Sequence, residues 1–333
     1  MEYSKYPFVT AIIVFRNEEK YIERCFKSFI EQSYFKDKYE IILIDGESDD
    51  NSNYIIEKLI EKNNSGVEIR YYKNPKRSLA SGWNMAIKSA KGEYVVRIDA
   101  HGYADKDFIK NSVDTMLNMN DVACVGGSLN TECYTGMGKR IAMVLSSPFG
   151  VGNSKFRYSQ KAEYVDTVAF GLYRKSIFDK VGYFDENLKR NQDNDMHRRI
   201  KEAGYKFYLN PSIKSTYISR DSVKGFLNQA WQNGKWNMKV LRNGFKTLNL
   251  RHIIPLMFVL NIILLLMLGI KIKIMRYILI FIIILHFILG IIFSIYKTNR
   301  LLDIVLMPIM FISLHISYGL GSIRGLFELI RKK

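Results

Sequence analysis

The sequence is poor in cysteine and contains none of the short loops that mark the common nucleotide-dependent enzymes. Its three cysteines, Cys25, Cys124 and Cys133, are odd in number and lack metal-pair spacing, so they predict buried or idle thiols without a disulfide framework. No Walker glycine–lysine loop, serine nucleophile elbow or Gly-x-Gly-x-x-Gly run is present, which disfavours NTPases, hydrolases and dinucleotide-binding enzymes. Residues 1–6 are polar, so the sequence predicts no cleaved signal peptide.

Acidic residues are few relative to basic ones: the chain has 32 Asp and Glu and 49 Lys and Arg, which gives a net charge of +17. No zinc-finger, homeodomain or aromatic-rich RNA-binding signature accompanies this charge, so we expect no nucleic-acid partner. The cations gather just before the first long apolar block, with Asp221 as the one acid nearby: Arg220, Lys224, Lys235, Lys239, Arg242, Lys246 and Arg251. This placement is typical of a segment beside an anionic cytoplasmic membrane leaflet.

The last third of the chain is apolar. Three blocks are each close to the ~20 residues that cross a bilayer: Ile253 to Ile270, Tyr277 to Tyr296 and Leu301 to Leu320. The mean hydropathy of −0.08 therefore averages a polar two-thirds with a membrane third. The sequence predicts a catalytic domain over 1–215, basic interfacial helices over 216–252 and membrane-embedded helices over 253–333, with the catalytic domain on the cytoplasmic side of the cell membrane.

Two arrangements of the apolar blocks are open. Three spans would place Lys271, Lys273 and Arg276 outside, against the positive-inside bias. If the first block, interrupted by Pro255 and Asn261, instead lies in the interface, the other two form a hairpin. The turn with Lys297 and Arg300 then faces outward, and the charge pattern favours this hairpin.

Apolar strands and helical periodicities alternate along the first 215 residues. Strands are predicted at Phe8 to Phe15, Tyr39 to Ile44, Val67 to Tyr72, Tyr94 to Ile98, Val122 to Gly126 and Asp166 to Leu172. Helices are predicted at Glu18 to Gln32, Asn53 to Lys62, Leu79 to Ser89, Phe108 to Met119 and Asp195 to Ala203. This alternation predicts an α/β fold with a Rossmann-like, mostly parallel sheet and helices on both faces.

Carboxylates end two of the predicted strands, where open α/β sheets bind their ligands. Asp45 follows the second strand and can accept hydrogen bonds from a base or ribose; the structural alternative is a turn that caps a helix. Asp99 and His101 follow the fourth strand and offer oxygen and nitrogen ligands for Mn²⁺ or Mg²⁺. A capping aspartate beside a structural histidine is the alternative there.

Two further segments carry candidate chemistry. Asp193 precedes a helix and is a candidate for removing a proton from a hydroxyl, although acids are also favoured there by the helix dipole. Trp236 offers a flat face for a sugar ring and Lys235 a charge for a diphosphate. Interfacial anchoring competes with that role, because Trp and Lys are favoured at membrane surfaces.

The order of the motifs along residues 7–240 resembles that of the family 2 glycosyltransferases. These are inverting enzymes of the GT-A fold (nucleotide-diphospho-sugar transferases). Residues 7–240 are most similar to the membrane-anchored branch that builds bacterial exopolysaccharide or capsule units. The resemblance is carried by Phe15-Arg16-Asn17-Glu18, Asp45, residues 74–94, Asp99 with His101, Gln192-Asp193, and Gln232 with Lys235-Trp236. It implies nucleotide binding by these residues: Phe15, Asn17, Glu18, Asp45 and Asp99.

The resemblance also implies the remaining roles, with three departures from the family pattern. The Asp-x-Asp metal motif falls on Asp99 and His101, so histidine replaces the second aspartate. The Glu-Asp base motif falls on Gln192 and Asp193, which makes Asp193 the catalytic base. The Gln-x-x-Arg-Trp motif of sugar polymerases falls on Gln232, Lys235 and Trp236, which would form an acceptor or diphosphate site. Lys235 replaces the arginine of the motif, a change that disfavours processive synthesis.

The function implied by the resemblance is inverting transfer of one sugar from a nucleoside diphosphate donor, a UDP-sugar, to a polyprenyl-linked saccharide in bacterial cell-surface polysaccharide synthesis. A divalent cation, Mn²⁺ or Mg²⁺, would neutralise charge on the leaving diphosphate. Two alternatives remain. One is a polyprenyl-phosphate sugar synthase, and the other is a non-catalytic scaffold that binds nucleotide sugars at the membrane.

Overall fold

The structure is a computed structural model that describes residues 3–219, 221–244 and 248–331. Arg220 and Lys246 of the basic segment lie outside the described residues. The chain forms two compact units, one of Met1–Thr131 with Ser154–Ile218, the other of Glu132–Asn153 with Ser219–Lys333. The second unit therefore contains a segment, 132–153, that the sequence analysis assigned to the catalytic domain.

One nine-stranded sheet forms the centre of the first unit, in the order β3-β2-β1-β4-β8-β6-β9-β5, with β7 beside β9. Its strands are β1 (Val9–Phe15), β2 (Tyr39–Asp45), β3 (Glu68–Lys73), β4 (Tyr94–Asp99), β5 (Gly102–Ala104), β6 (Val122–Glu132), β7 (Glu163–Val165), β8 (Leu172–Arg174) and β9 (Lys206–Ile218). The helices of the chain are α1 (Ile22–Ile30), α2 (Ser52–Glu61), α3 (Leu79–Ser89), α4 (Phe108–Leu117), α5 (Gly136–Leu145), α6 (Pro148–Val151), α7 (Ser176–Val181), α8 (Gln192–Glu202), α9 (Val223–Lys239), α10 (Leu250–Gly269), α11 (Lys273–Ile295) and α12 (Leu301–Ile330).

The sheet is mixed. Strands β1 to β4 pair in parallel, whereas β8 joins β4 and β6 antiparallel, and β9 joins β5 and β7 antiparallel. The register aligns Phe15 with Asp45 and Val14 with Asp99, so the carboxyl ends of β1, β2 and β4 meet at one edge. The α/β fold class predicted from sequence is confirmed, and its parallel half brings the predicted nucleotide-binding residues together.

Side chains alternate between two cores on the two faces of the sheet. On β1, Ala11 and Ile13 face the core shared with α1, α2 and α4, whereas Ile12 and Val14 face the core shared with α3, α7 and α8. All seven residues of β1 are buried, as expected for a central parallel strand covered on both faces.

The strand predicted at Asp166 to Leu172 is wrong. Residues 166–171 form a loop between β7 and β8, and Phe170 has a left-handed φ of 47°, which an extended strand does not allow. Gly171 lies so close to Cys124 that a Cβ would come within 2.3 Å of its Sγ. The loop contains the buried apolar residues Val168 and Phe170, and its sequence therefore resembles that of a strand.

The first predicted helix begins later than expected, at Ile22 instead of Glu18. The backbone amides of Asn17, Glu18 and Glu19 donate to side chains of the 48–52 loop and do not join the helix. Their acceptors are Ser48 Oγ at 3.1 Å, Ser52 Oγ at 2.8 Å and Asp50 Oδ2 at 3.1 Å. Local hydrogen bonding therefore overrides the helical periodicity of these residues.

In the second unit, α5, α9 and α12 share one apolar cluster that includes Ile141, Phe226 and Phe311. Glycines allow α9 and α12 to approach closely, because a Cβ on Gly321 would lie 2.1 Å from the Trp231 carbonyl oxygen and one on Gly325 would lie 2.3 Å from that of Lys235. Helices α10, α11 and α12 have the length and composition to cross a membrane. Their exposed apolar side chains indicate membrane association.

Candidate active site

The loops after β1 and β2 are tied to one another. Asn17 adopts a left-handed φ of 57°, its Oδ1 accepts a hydrogen bond from the Asp49 amide at 2.8 Å, and its own amide donates to Ser48. Asp45, only 1% exposed, accepts hydrogen bonds from the amide and hydroxyl of Ser48 at 2.9 and 2.7 Å and from the Tyr71 hydroxyl at 3.3 Å. These contacts fix the loop that would receive a nucleotide, whereas base recognition by Asp45 itself stays a prediction.

A cavity of about 240 Å³ opens at the carboxyl ends of β1, β2 and β4. Four of the predicted residues line it: Phe15, Glu18, Asp99 and His101. Two residues that the sequence analysis did not assign also line it, Asn74 and Arg77. Arg77 pairs with Glu47 at 2.6 Å, and this pair is partly exposed. The cavity therefore combines carboxylates, an imidazole and a guanidinium at the sheet edge where α/β folds bind their ligands.

Asp99 and His101, the predicted metal ligands, both line this cavity. The Asp99 carboxylate accepts no hydrogen bond within residues 3–219, 221–244 and 248–331, and His101 Nδ1 lies 3.0 Å from Glu18 Oε1. A carboxylate on one ring nitrogen is how proteins usually orient a metal-binding histidine. In the described part of the chain no three or more His, Cys, Asp or Glu side chains are arranged around a metal position. Two protein ligands suit Mg²⁺ or Mn²⁺, which complete their shells with water and phosphate oxygens.

Asp193 lies in the first turn of α8 and forms an ion pair with Arg97 of β4, whose Nη2 donates to Asp193 Oδ1. The Asp193 side chain is 44% exposed, whereas that of Arg97 is 8% exposed. Desolvation raises the pKa of the Asp193 carboxyl; Arg97 opposes the shift and Asp99 adds to it. A carboxylate with a raised pKa that stays open to solvent suits a general base.

The nearby carboxylate, Asp195, is a structural residue. It is 2% exposed and accepts hydrogen bonds from Arg198 at 3.2 Å and Arg199 at 2.9 Å. Gln192, which replaces the family's glutamate, is buried and donates to the Leu188 carbonyl oxygen at 2.8 Å. Of these three side chains at the start of α8, Asp193 is therefore the one that stays open to solvent.

Gln232, Lys235 and Trp236 lie on α9 in the second unit and are partly buried. Lys235 Nζ pairs with Glu328 of α12 at 2.8 Å, and Lys239 pairs with the same carboxylate at 2.5 Å. Lys239 also stacks over the Trp236 ring, 4.6 Å from its centroid. The motif thus has a packing role against α12, and its role in binding an acceptor or a diphosphate stays a prediction.

Comparisons with known proteins show the family of the chain. Residues 10–182 match the family described as "Glycosyl transferase family 2". The chain belongs to this family. It is 32% identical over 326 residues to a dolichyl N-acetyl-α-D-glucosaminyl phosphate 3-β-D-2,3-diacetamido-2,3-dideoxy-β-D-glucuronosyltransferase of Methanococcus voltae, covering 96% of this chain and 98% of the relative. It is 25% identical over 218 residues to the succinoglycan biosynthesis protein ExoA of Rhizobium meliloti, covering 65% of both.

Solved structures show the same fold. The mannosyltransferase PcManGT from Pyrobaculum calidifontis, in complex with GDP-Man and Mn²⁺, aligns with a TM-score of 0.53 at 20% identity, over 72% of this chain and 65% of that one. GalNAc-T7 with UDP, GalNAc and Mn²⁺ aligns with a TM-score of 0.51 at 16% identity, over 71% of this chain and 50% of that one. The chain is therefore a glycosyltransferase of the GT-A fold with apolar carboxy-terminal helices.

Proposed function

We propose that this glycosyltransferase moves one sugar from a nucleoside diphosphate donor, a UDP-sugar, to a hydroxyl of a saccharide carried on a polyprenyl phosphate, with inversion at the anomeric carbon. The observation that carries the proposal is the full-length similarity to the Methanococcus voltae enzyme, whose name specifies a dolichyl phosphate-linked N-acetylglucosamine acceptor and a β-linked product. An N-acetylglucosamine acceptor on a polyprenyl phosphate is therefore the first to test. Bacterial exopolysaccharide or capsule synthesis, implied by the sequence resemblance, is part of the same proposal.

The residues divide the reaction between them. Asp193 accepts the proton of the acceptor hydroxyl while that oxygen attacks the anomeric carbon and the bond to the diphosphate breaks. The nucleoside diphosphate leaves on the opposite face, so the configuration inverts. Asp99 and His101 would hold Mn²⁺ or Mg²⁺, which neutralises charge on the departing diphosphate. Phe15 and Glu18, which line the cavity, would hold the nucleoside together with Asn17 and Asp45.

A donor screen tests this proposal. The full chain in lipid vesicles is supplied with a synthetic polyprenyl phosphate-linked N-acetylglucosamine and with UDP-, GDP- or CMP-sugars, and release of the nucleotide is measured. We expect release from a UDP-sugar that depends on the acceptor. Transfer to polyprenyl phosphate alone would instead identify a polyprenyl-phosphate sugar synthase, and binding without release would identify a scaffold.

The second unit gives a reason to revise the membrane arrangement favoured by charge. Arg140 of α5 pairs with Asp303 at the start of α12, at 2.6 Å, and both side chains are largely buried. We propose that this buried pair keeps the α11–α12 turn on the side of the membrane where α5 lies, the cytoplasmic side, so that the α10–α11 turn faces outward.

Cysteine labelling of intact cells checks this arrangement. We expect Thr298→Cys to be protected from a membrane-impermeant reagent until the cells are permeabilised, and Lys273→Cys to react directly. The background is Cys133→Ser, because Cys25 and Cys124 are buried and Cys133 is partly exposed. Labelling at residue 298 with protection at 273 would restore the α11–α12 hairpin predicted from the charge pattern.

A further inference from the structure

A second functional residue stands out on the strand that ends at Asp99. Arg97 lies two residues before Asp99, so both side chains leave β4 on the same face of the sheet. The Arg97 guanidinium is buried and donates to Asp193 Oδ1. Arg97 therefore connects the strand that carries the candidate metal ligand to the helix that carries the candidate base.

Aromatic rings enclose the guanidinium. The Arg97 Cζ atom lies 4.0 Å from the ring centroid of Trp83 and 5.4 Å from that of Phe184. The centroids of these two rings are 4.9 Å apart. The ring centroid of Tyr173 lies 6.0 Å from Cζ, and the Tyr173 hydroxyl is 2.8 Å from His197 Nε2. A planar, delocalised cation stacks well in such a cage, whereas a lysine ammonium does not.

The buried arginine is poorly explained by stability alone. Arg97 Nε is buried without a hydrogen-bond partner within the described residues. Arg174, on the neighbouring strand β8, differs: its nitrogens donate to the carbonyl oxygens of Val122 and Met119 and to the Tyr94 hydroxyl. Arg174 thus ties main-chain segments together, as a structural arginine does. The hydrogen bond of Arg97 goes instead to a partly exposed carboxylate at the candidate site.

The free oxygen of that carboxylate completes the geometry. Asp193 Oδ1 is bound by Arg97, whereas Asp193 Oδ2 accepts no hydrogen bond from the part of the chain that the structure describes. One oxygen is thereby fixed and the other is left to receive a proton. The rigid cage restricts rotation of the guanidinium and, through it, of the carboxylate, which is the kind of positioning that general-base catalysis requires.

We propose that Arg97, fixed by the cage of Trp83, Phe184 and Tyr173, is the positioning residue of the catalytic base and aims Asp193 Oδ2 at the acceptor hydroxyl. This inference rests on the proposed function of Asp193. In this inference Arg97 acts on the chemical step through its contact with Asp193 and not through the substrates. It predicts an effect on kcat with little effect on the KM for the donor.

The test is chemical rescue of Arg97→Ala in the full chain in lipid vesicles. Removing the side chain leaves a guanidinium-sized space between the rings. We expect kcat to fall by roughly 10- to 100-fold, the scale of a misplaced catalytic group, with the donor KM changed less than about twofold. Methylguanidinium at millimolar concentration restores a large part of the lost kcat, whereas methylammonium at the same ionic strength does not.

The controls separate positioning from folding. Arg174→Ala, the control at the partly buried arginine of the neighbouring strand, is expected to lose thermal stability and to show no rescue by methylguanidinium. If Arg97→Ala does not fold, Arg97→Lys is measured instead, and we expect a loss of kcat because lysine does not fill the cage. An unchanged kcat, a loss confined to the donor KM, or equal rescue by both cations would overturn the inference. Retained activity in Asp193→Asn would refute the base assignment instead, whatever the result at Arg97.

Discussion

Asp193→Asn is expected to abolish sugar transfer, lowering kcat by about 100-fold or more, the usual effect of removing a general base. The amide keeps the shape of the carboxylate but does not accept the proton of the acceptor hydroxyl. The affinity for the UDP-sugar should stay within about twofold of wild type, because Asp193 faces the acceptor in this proposal. Turnover by single-round transfer and donor binding by calorimetry measure the two quantities separately.

Asp195→Asn is the matched control for this variant. Asp195 lies two residues away on the same helix but is buried between Arg198 and Arg199. Its replacement should lower the melting temperature while retaining most of the turnover of the folded protein. If Asp193→Asn keeps more than about a tenth of wild-type turnover, the base is another residue; a collapse of turnover in folded Asp195→Asn would point to Asp195.

Removal of divalent cations is expected to abolish activity, which returns when Mn²⁺ or Mg²⁺ is added back. The reason is the pairing of the open Asp99 carboxylate with an imidazole that Glu18 orients. His101→Asp, which restores the usual family motif, should retain activity, whereas His101→Ala should lose it. Glu18→Gln should raise the metal concentration that gives half-maximal activity, because the amide orients the His101 ring less well than the carboxylate does.

Donor binding in the presence and absence of Mn²⁺ gives a measurement independent of turnover. We expect the affinity for UDP to rise with the metal in wild type and not in Asp99→Asn. Asp49→Asn is the control, since Asp49 is an exposed partner of Arg16 and does not line the cavity. Full activity in EDTA would contradict the role of the metal at Asp99 and His101.

Sequence alone was sufficient for the parallel half of the fold and for four of the residues that line the cavity. Strands β1, β2 and β4 are continuous apolar runs with polar residues at their ends, and parallel strands place those ends together. Among the nucleotide and metal residues implied by the family resemblance, Phe15, Glu18, Asp99 and His101 line one cavity, whereas Asn17 and Asp45 do not line it.

The antiparallel half was harder to predict because its signals are not local. The loop at 166–171 is buried like a strand, and β9 extends over 13 residues although it contains Pro211. The sequence did not indicate a role for Arg97, because a single arginine in an apolar run gives no periodic signal. Its proposed role depends on Asp193, which lies 96 residues away in the sequence. Likewise, the Arg140–Asp303 pair, on which the proposed membrane arrangement rests, joins residues 163 positions apart and gives no local signal.

The most direct test of the central claim is the bond formed in the lipid product. The full chain in vesicles is given an α-linked UDP-sugar and polyprenyl phosphate-linked N-acetylglucosamine, and the product is analysed by NMR after lipid extraction. The proposed mechanism predicts a β-glycosidic bond to a hydroxyl of the acceptor sugar, because Asp193 activates an attack opposite the diphosphate. An α-glycosidic bond, or a phosphodiester bond to polyprenyl phosphate, would contradict it.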